Sequence, residues 1–210
     1  MELTDSEVRV LGCMLEKQVT TPGAYPLTLN GLRLACNQST NRDPIVDYDE
    51  ATLRDALHRL ERRGWARLAS GRGSRAPKYR HLLEEALPLG ADERAVLCVL
   101  MLRGPQTPGE LKQRGERMHP FAGLDAVHDA LDRLIERQLA RRLQRRPGQK
   151  EERYEHLLGE ADAGGNEPTP AAAPAPAAAE PLADGEASAL EERVARLEHA
   201  VAELRASLQP

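Results

Sequence analysis

The chain has 210 residues, a formal net charge of −4, and only one Trp and one Phe. Cores of that composition are built from Leu, Val and Ala, which suits small helical domains better than a large sandwich or barrel; the length holds one or two domains of roughly 100–200 residues each. No run of about 18 apolar residues is present to span a membrane, and the start, MELTDSEVRV, is acidic where a signal peptide is basic and then apolar. Cys13, Cys36 and Cys98 have neither metal-ligand nor disulfide-framework spacing, so a reduced, cytoplasmic setting is expected. The charge is unevenly placed. Residues 159–210 carry three Arg against ten acids, leaving residues 1–158 with 26 Lys/Arg against 23 Asp/Glu, a net +3. That excess is modest for a nucleic-acid binder.

Taken in order, Thr4 and Glu7 have capping-box spacing, and Val8, Leu11 and Leu15 share one apolar stripe. They predict a helix from Thr4 to about Lys17. Thr21-Pro22-Gly23-Ala24-Tyr25-Pro26 cannot continue it. A second helix is expected from about Thr28 to Cys36, followed by a polar loop, Asn37 to Pro44. A third starts at the N-cap Asp49, aligns Leu53, Leu57 and Leu60, and stops at Gly64, which tolerates the left-handed conformation. Trp65–Ala69 and Lys78–Leu82 then alternate as two strands around a glycine-rich, basic tip. A helix running directly into a β-hairpin is the second half of a winged helix-turn-helix unit.

The same pattern occurs twice. The stretch from Leu53 matches the stretch from Val127, ending in Tyr-Arg-His-Leu-Leu and Tyr-Glu-His-Leu-Leu, and the segment from Val8 matches that from Arg94. The second copy predicts helices over Asp92–Arg103, Pro108 to about Arg117, and Leu124–Gln138, with a wing over Leu139–Leu157. Thr-Pro-Gly triplets lie 86 positions apart and Asp-Ala-Leu triplets 74 apart, which places 12 extra residues of the first copy between its second and third helices. The expected fold is mainly α with small β-hairpin wings. Two tandem winged helix-turn-helix domains, residues 1–87 and 88–158, precede an Ala/Pro-rich linker over 159–185 and an amphipathic helix over 186–210. In that last helix Leu190, Val194, Leu197, Val201, Leu204 and Leu208 follow coiled-coil spacing for under three heptads. A homo-oligomer built through it and a lone amphipathic helix both remain open.

Three groups of residues could carry function. Arg67, Arg72, Arg75, Lys78 and Arg80 cluster on the first wing; Arg141, Arg142, Arg145, Arg146 and Lys150 cluster on the second. Such a hairpin can meet DNA phosphates without demanding a base sequence, or its charges can simply be solvated. On the third helices Arg54, Arg59 and Arg133 offer positive charge, but Asp47, Asp49 and Glu50, and Asp125 and Asp129, stand where a DNA reader presents its helix start. The loop residues Asn37, Gln38, Thr40, Asn41 and Arg42 either satisfy turn backbone or form a hydrogen-bonding surface for a partner. Catalytic, metal-binding and cofactor motifs are absent: the histidines are dispersed, and no glycine-rich phosphate loop precedes a helix. No enzyme activity and no cofactor are expected.

The segment LGCMLEKQVTTPGAYPLTLNGLRLACNQSTNRDP, with RGPQTPGELKQR further on, strongly resembles the YceH-like bacterial proteins, an uncharacterised family. The likeness covers roughly Leu3 to Leu158 and implies a tandem winged-helix fold, without implying a substrate or a reaction. The expected function is a cytoplasmic DNA-binding regulator or accessory factor whose wings clamp phosphates, with helix three and the Asn37–Arg42 loop refining site choice. The alternative is a protein–protein adaptor that uses the acidic starts of the third helices and self-associates through the C-terminal helix. No membrane contact is expected.

Overall fold

The computed structural model describes residues 3–70, 76–145 and 151–159. The first copy comprises α1 (Asp5–Thr20), β1 (Leu27–Thr28), α2 (Leu29–Cys36), α3 (Glu50–Arg62), β2 (Ala66–Leu68) and β3 (Lys78–His81). A single turn, α4 (Leu83–Ala86), leads into the second copy: α5 (Ala91–Arg103), α6 (Pro108–Gly115), α7 (Leu124–Glu136), β4 (Ala140–Arg142) and β5 (Tyr154–His156). The described residues are thus mainly helical with small antiparallel sheets. None of their helices is long and apolar enough to cross a membrane.

Local chemistry sets these boundaries. Thr4 and Glu7 complete the capping box: the Thr4 hydroxyl accepts the Glu7 N–H, and Glu7 Oε2 accepts the Thr4 N–H at 2.8 Å. Glu93 repeats the second half of that device by accepting the Gly90 N–H at 2.7 Å. Thr28 and Thr107 cap α2 and α6, and Asp49 caps α3 through the Thr52 N–H at 2.8 Å. Gly64 closes α3 at φ +73°, a conformation that costs a residue with a Cβ more than it costs glycine.

The caps also correct the internal alignment. Helix-one starts are 86 residues apart (Asp5 and Ala91), helix-two starts 79 (Leu29 and Pro108), and helix-three starts 74 (Glu50 and Leu124). The extra length of the first copy is therefore divided, seven residues before α2 and five before α3, and not all between the second and third helices. The Thr-Pro-Gly triplets misled because they serve different ends: Thr21-Pro22-Gly23 turns the chain after α1, whereas Thr107-Pro108-Gly109 opens α6.

Each hairpin carries a third strand-like partner. In the first sheet the order is β1-β3-β2, with Leu27 opposite Tyr79 and Arg67 opposite Arg80. In the second copy Gln106 takes the place of β1, exchanging both backbone hydrogen bonds with Tyr154 at 2.8 and 3.0 Å. Tyr79 and Tyr154 hold matching positions, and so do His81 and His156.

The two copies share one core. Helix α1 is buried continuously from Glu7 to Glu16, and α5 from Ala95 to Leu102, because each lies against the other. They meet at equivalent residues: Cys98, the counterpart of Gly12, directs its Sγ to the Gly12 carbonyl at 3.4 Å. A Cβ on Gly12 would stand 2.9 Å from Leu102 Cδ2, so any other residue there requires the Leu102 side chain to move. The chain closes on itself where the Leu3 N–H donates to the Leu158 carbonyl at 2.8 Å.

Candidate functional site

The loop after α2 turns inward. Arg42 is buried, and its planar fork has five N–H donors, all of them engaged. Nε meets the Ala35 carbonyl at 3.1 Å; Nη1 meets Glu16 Oε1 at 3.2 Å and the Asn41 carbonyl at 2.8 Å; Nη2 meets Glu16 Oε2 at 2.6 Å and Gln38 Oε1 at 3.4 Å. Arg117, from the end of α6, binds the same Glu16 carboxylate. Burial alone would raise the Glu16 pKa, but the hydrogen bond and charge of Arg42, with Arg117, outweigh it and hold it below the usual carboxylate range. Asn41 accepts from Arg103 Nη1 at 2.9 Å, and the Asp43 N–H donates to the Leu102 carbonyl at 2.9 Å. Asn37 is bound on both amide atoms, donating to Asp47 Oδ1 and the Tyr48 carbonyl and accepting the Tyr48 N–H. This loop fastens the first copy to the second. Of the loop residues expected to face a partner, Thr40 stands exposed, while Asn37, Gln38, Asn41 and Arg42 are committed internally.

The same pairs explain the acidic start of α3. Asp47 is held by Asn37, Asp49 caps the helix, and Glu50 pairs with Arg54 at 3.0 Å. Beyond that turn the outward stripe of α3 is Ala51, Arg54, His58 and Arg62, with Asp55 and Arg59 beside it, all exposed. The hairpin follows immediately with Arg67, exposed on β2. No ion pair within 4 Å holds Arg59, Arg62 or Arg67 among the described residues.

The second copy reverses the charge. At the positions equivalent to Ala51, Arg54, His58 and Arg62 it carries Asp125, His128, Asp132 and Glu136, all exposed, while Asp129 beside them repeats Asp55. Arg133, the counterpart of Arg59, is drawn to Asp92 on α5, where the first copy has the uncharged Ser6. Arg137, the counterpart of Arg63, approaches the capping-box Glu93 at 3.8 Å, as Arg63 approaches Glu7 at 3.5 Å. The wing arginines are also paired: Arg141 with Glu155, and Arg142 with Glu152 at 3.4 Å while lying over the Tyr154 ring. On the first wing Arg80 is bridged to Glu85, whereas the Lys78 side chain has no ion pair among the described residues. Arg72, Arg75, Arg146, Lys150 and the six heptad positions from Leu190 to Leu208 lie outside the described residues. Arg145 is exposed.

Two histidines carry a role that the dispersed sequence pattern hid. His81 accepts the Leu83 N–H on Nδ1 at 3.2 Å and bonds Gln18 through Nε2; His156 accepts the Leu158 N–H on Nδ1 at 3.3 Å. Burial lowers both pKa values to about 4, keeping the rings neutral. The repeated His-Leu-Leu endings are the signal that could have found them, since one ring closes each hairpin onto the chain that follows. Glu16, Arg103 and Arg117 were missed because their pairing partners lie tens of residues away.

Comparison with known proteins comes to one family. The family described as "Protein of unknown function, DUF480" matches residues 3–149. A UPF0502 protein of Geotalea uraniireducens is 51 % identical over 205 residues, covering 96 % of this chain and 90 % of its own length. A UPF0502 protein of Shewanella sp. is 45 % identical over 214 residues, covering 99 % and 96 %, and one of Geobacter sulfurreducens is 49 % identical over 205 residues, covering 96 % and 90 %.

Proposed function

This chain belongs to the DUF480 family, bacterial proteins of unknown function, and we propose that it is a DNA-binding regulator or accessory factor built on two winged helix-turn-helix units. The order helix, strand, helix, helix, strand, strand, with the short first strand paired to the last, supports the winged reading for the first copy. Gln106 in place of that strand supports it for the second. The observation that carries the function is the exposed, net basic face of α3, where Arg59 and Arg62 lead directly to Arg67 on the β2–β3 hairpin. A helix of that kind enters a major groove, and the hairpin beside it meets the flanking phosphates. The β2–β3 hairpin then positions the protein on the duplex, and the loop of residues 37–44 acts indirectly, by holding α1, α2 and α5 in register. The proposal includes no enzymatic activity and no cofactor.

Fluorescence anisotropy of a labelled random duplex of about 30 base pairs, titrated with the full chain from low to physiological salt, tests this. Binding that weakens steeply with salt is expected, because released counterions set the slope. No binding at low salt contradicts it. A second reading, a protein–protein adaptor, is favoured by one observation, the carboxylate-rich face of α7, which suits a basic partner. A partner captured through that face would have to survive nuclease treatment and be lost on replacing Asp125, Asp132 and Glu136 with Ala.

A further inference from the structure

We propose that the two halves are not equivalent toward DNA: the first half alone makes the contact, and the α7 face of the second half holds phosphate away. This rests on the DNA-binding function proposed above and adds to it which face is used. Total charge does not distinguish the halves. Residues 1–87 carry 13 Lys/Arg against 12 Asp/Glu, and residues 88–158 carry 13 against 11. Placement distinguishes them. At physiological ionic strength a charge is felt over about 8 Å, so a phosphate beside a helix responds to that helix and not to the net charge of the domain.

The four outward stripe positions read Ala51, Arg54, His58, Arg62 on α3 and Asp125, His128, Asp132, Glu136 on α7. With histidine neutral, and with the adjacent Asp55 and Arg59 of the first copy and Asp129 and Arg133 of the second included, the face carries a net +2 in the first copy and −3 in the second. Three further contrasts point the same way. Arg59 faces out without an ion pair, whereas Arg133 is taken by Asp92. Arg67 lies opposite another cation, Arg80, in the β2–β3 register, whereas Arg141 lies opposite Glu155 in β4–β5 and pairs with it. Arg80 is itself bridged to Glu85, which leaves Arg67 as the cation of that cross-strand pair with no ion pair among the described residues. Arg142 is likewise neutralised by Glu152. Among the described residues of the third helix and hairpin, the cations that the first half leaves without an ion pair, Arg59, Arg62, Arg67 and Lys78, correspond in the second half to the paired Arg133, the acid Glu136, and the paired Arg141 and Arg153.

The test uses the full chain and the labelled duplex. Replacing Arg54, Arg59 and Arg62 together with Ala is expected to weaken binding at least about 30-fold and to reduce the salt slope by about three, close to one per lost phosphate contact. Arg67→Glu on the neighbouring strand probes the same face and is expected to weaken binding about tenfold, should the triple variant melt early. The reciprocal variant gives α7 the α3 pattern (Asp125→Ala, His128→Arg, Asp132→His, Glu136→Arg) and is expected to tighten binding several-fold. Wild-type binding that survives both first-half variants overturns the inference, as does an equal loss on replacing Arg141 and Arg142 with Ala. Absence of wild-type binding at low salt removes the function on which it rests.

Discussion

Arg42 sits in a polar loop that reads as a display surface, yet its guanidinium is wholly enclosed and bound to a carboxylate from another helix. Loss of one partner from a buried pair strands the other charge, which costs about 3–5 kcal/mol. Arg42→Ala is therefore expected to lower unfolding stability by up to that amount in urea denaturation, Arg117 remaining as a partner for Glu16. Glu16→Leu combined with Arg42→Met should lose less than the single change, since the one charge then deprived of its partner, Arg117, is half exposed to water; an equal or larger loss in the double variant would contradict this account of the pair. The two buried histidines make a second prediction at this scale. Their folded pKa values are about 4, depressed from an ordinary value near 6.5 by burial. The unfolded chain thus binds protons that the folded chain does not, so the stability they contribute is complete above about pH 6.5 and is lost as pH falls toward 4. Urea midpoints should fall between pH 7 and 5, and His81→Gln with His156→Gln should flatten that fall. A pH profile unaltered by the double replacement would assign the acid sensitivity elsewhere.

At the scale of elements, helix starts were legible because capping chemistry is local: Thr4 with Glu7 and Asp49 with Thr52 act within three residues. The two-residue strand β1 was not, since two residues carry no periodicity and its pairing with β3 joins positions some fifty apart. The site was half legible. Wing and helix-three arginines stand out by composition, but which of them are neutralised depends on Asp92, Glu155 and Glu152, whose proximity only the fold creates. The α1–α5 contact was hidden for the same reason. Its closeness at Gly12 makes a direct prediction: Gly12→Ala forces Leu102 and Met101 aside and should cost roughly 1–3 kcal/mol, with Gly12→Val worse. Thermal melts of the two variants check the order, and an unchanged melting temperature for both would mean that the helices separate freely.

At the scale of the molecule, the duplication builds two similar units whose first helices bury one another, so each supplies the other's missing wall. Two consequences follow. A fragment of residues 1–87 exposes the apolar face of α1 and the carboxylate of Glu16 without Arg117, and is expected to show no cooperative unfolding transition, while residues 1–159 should show one; calorimetry of the two chains decides it. The second consequence concerns the proposed function: the α1–α5 pairing holds the basic α3 and the acidic α7 in one unit, so the proposal expects a single DNA-facing side. The most direct measurement is amide hydrogen exchange of the full chain with and without a duplex of about 30 base pairs at low salt. The account predicts added protection across α3 and the β2–β3 hairpin, residues 50–81, with residues 124–142 unchanged. Equal protection of both copies, or protection confined to the second, would contradict it.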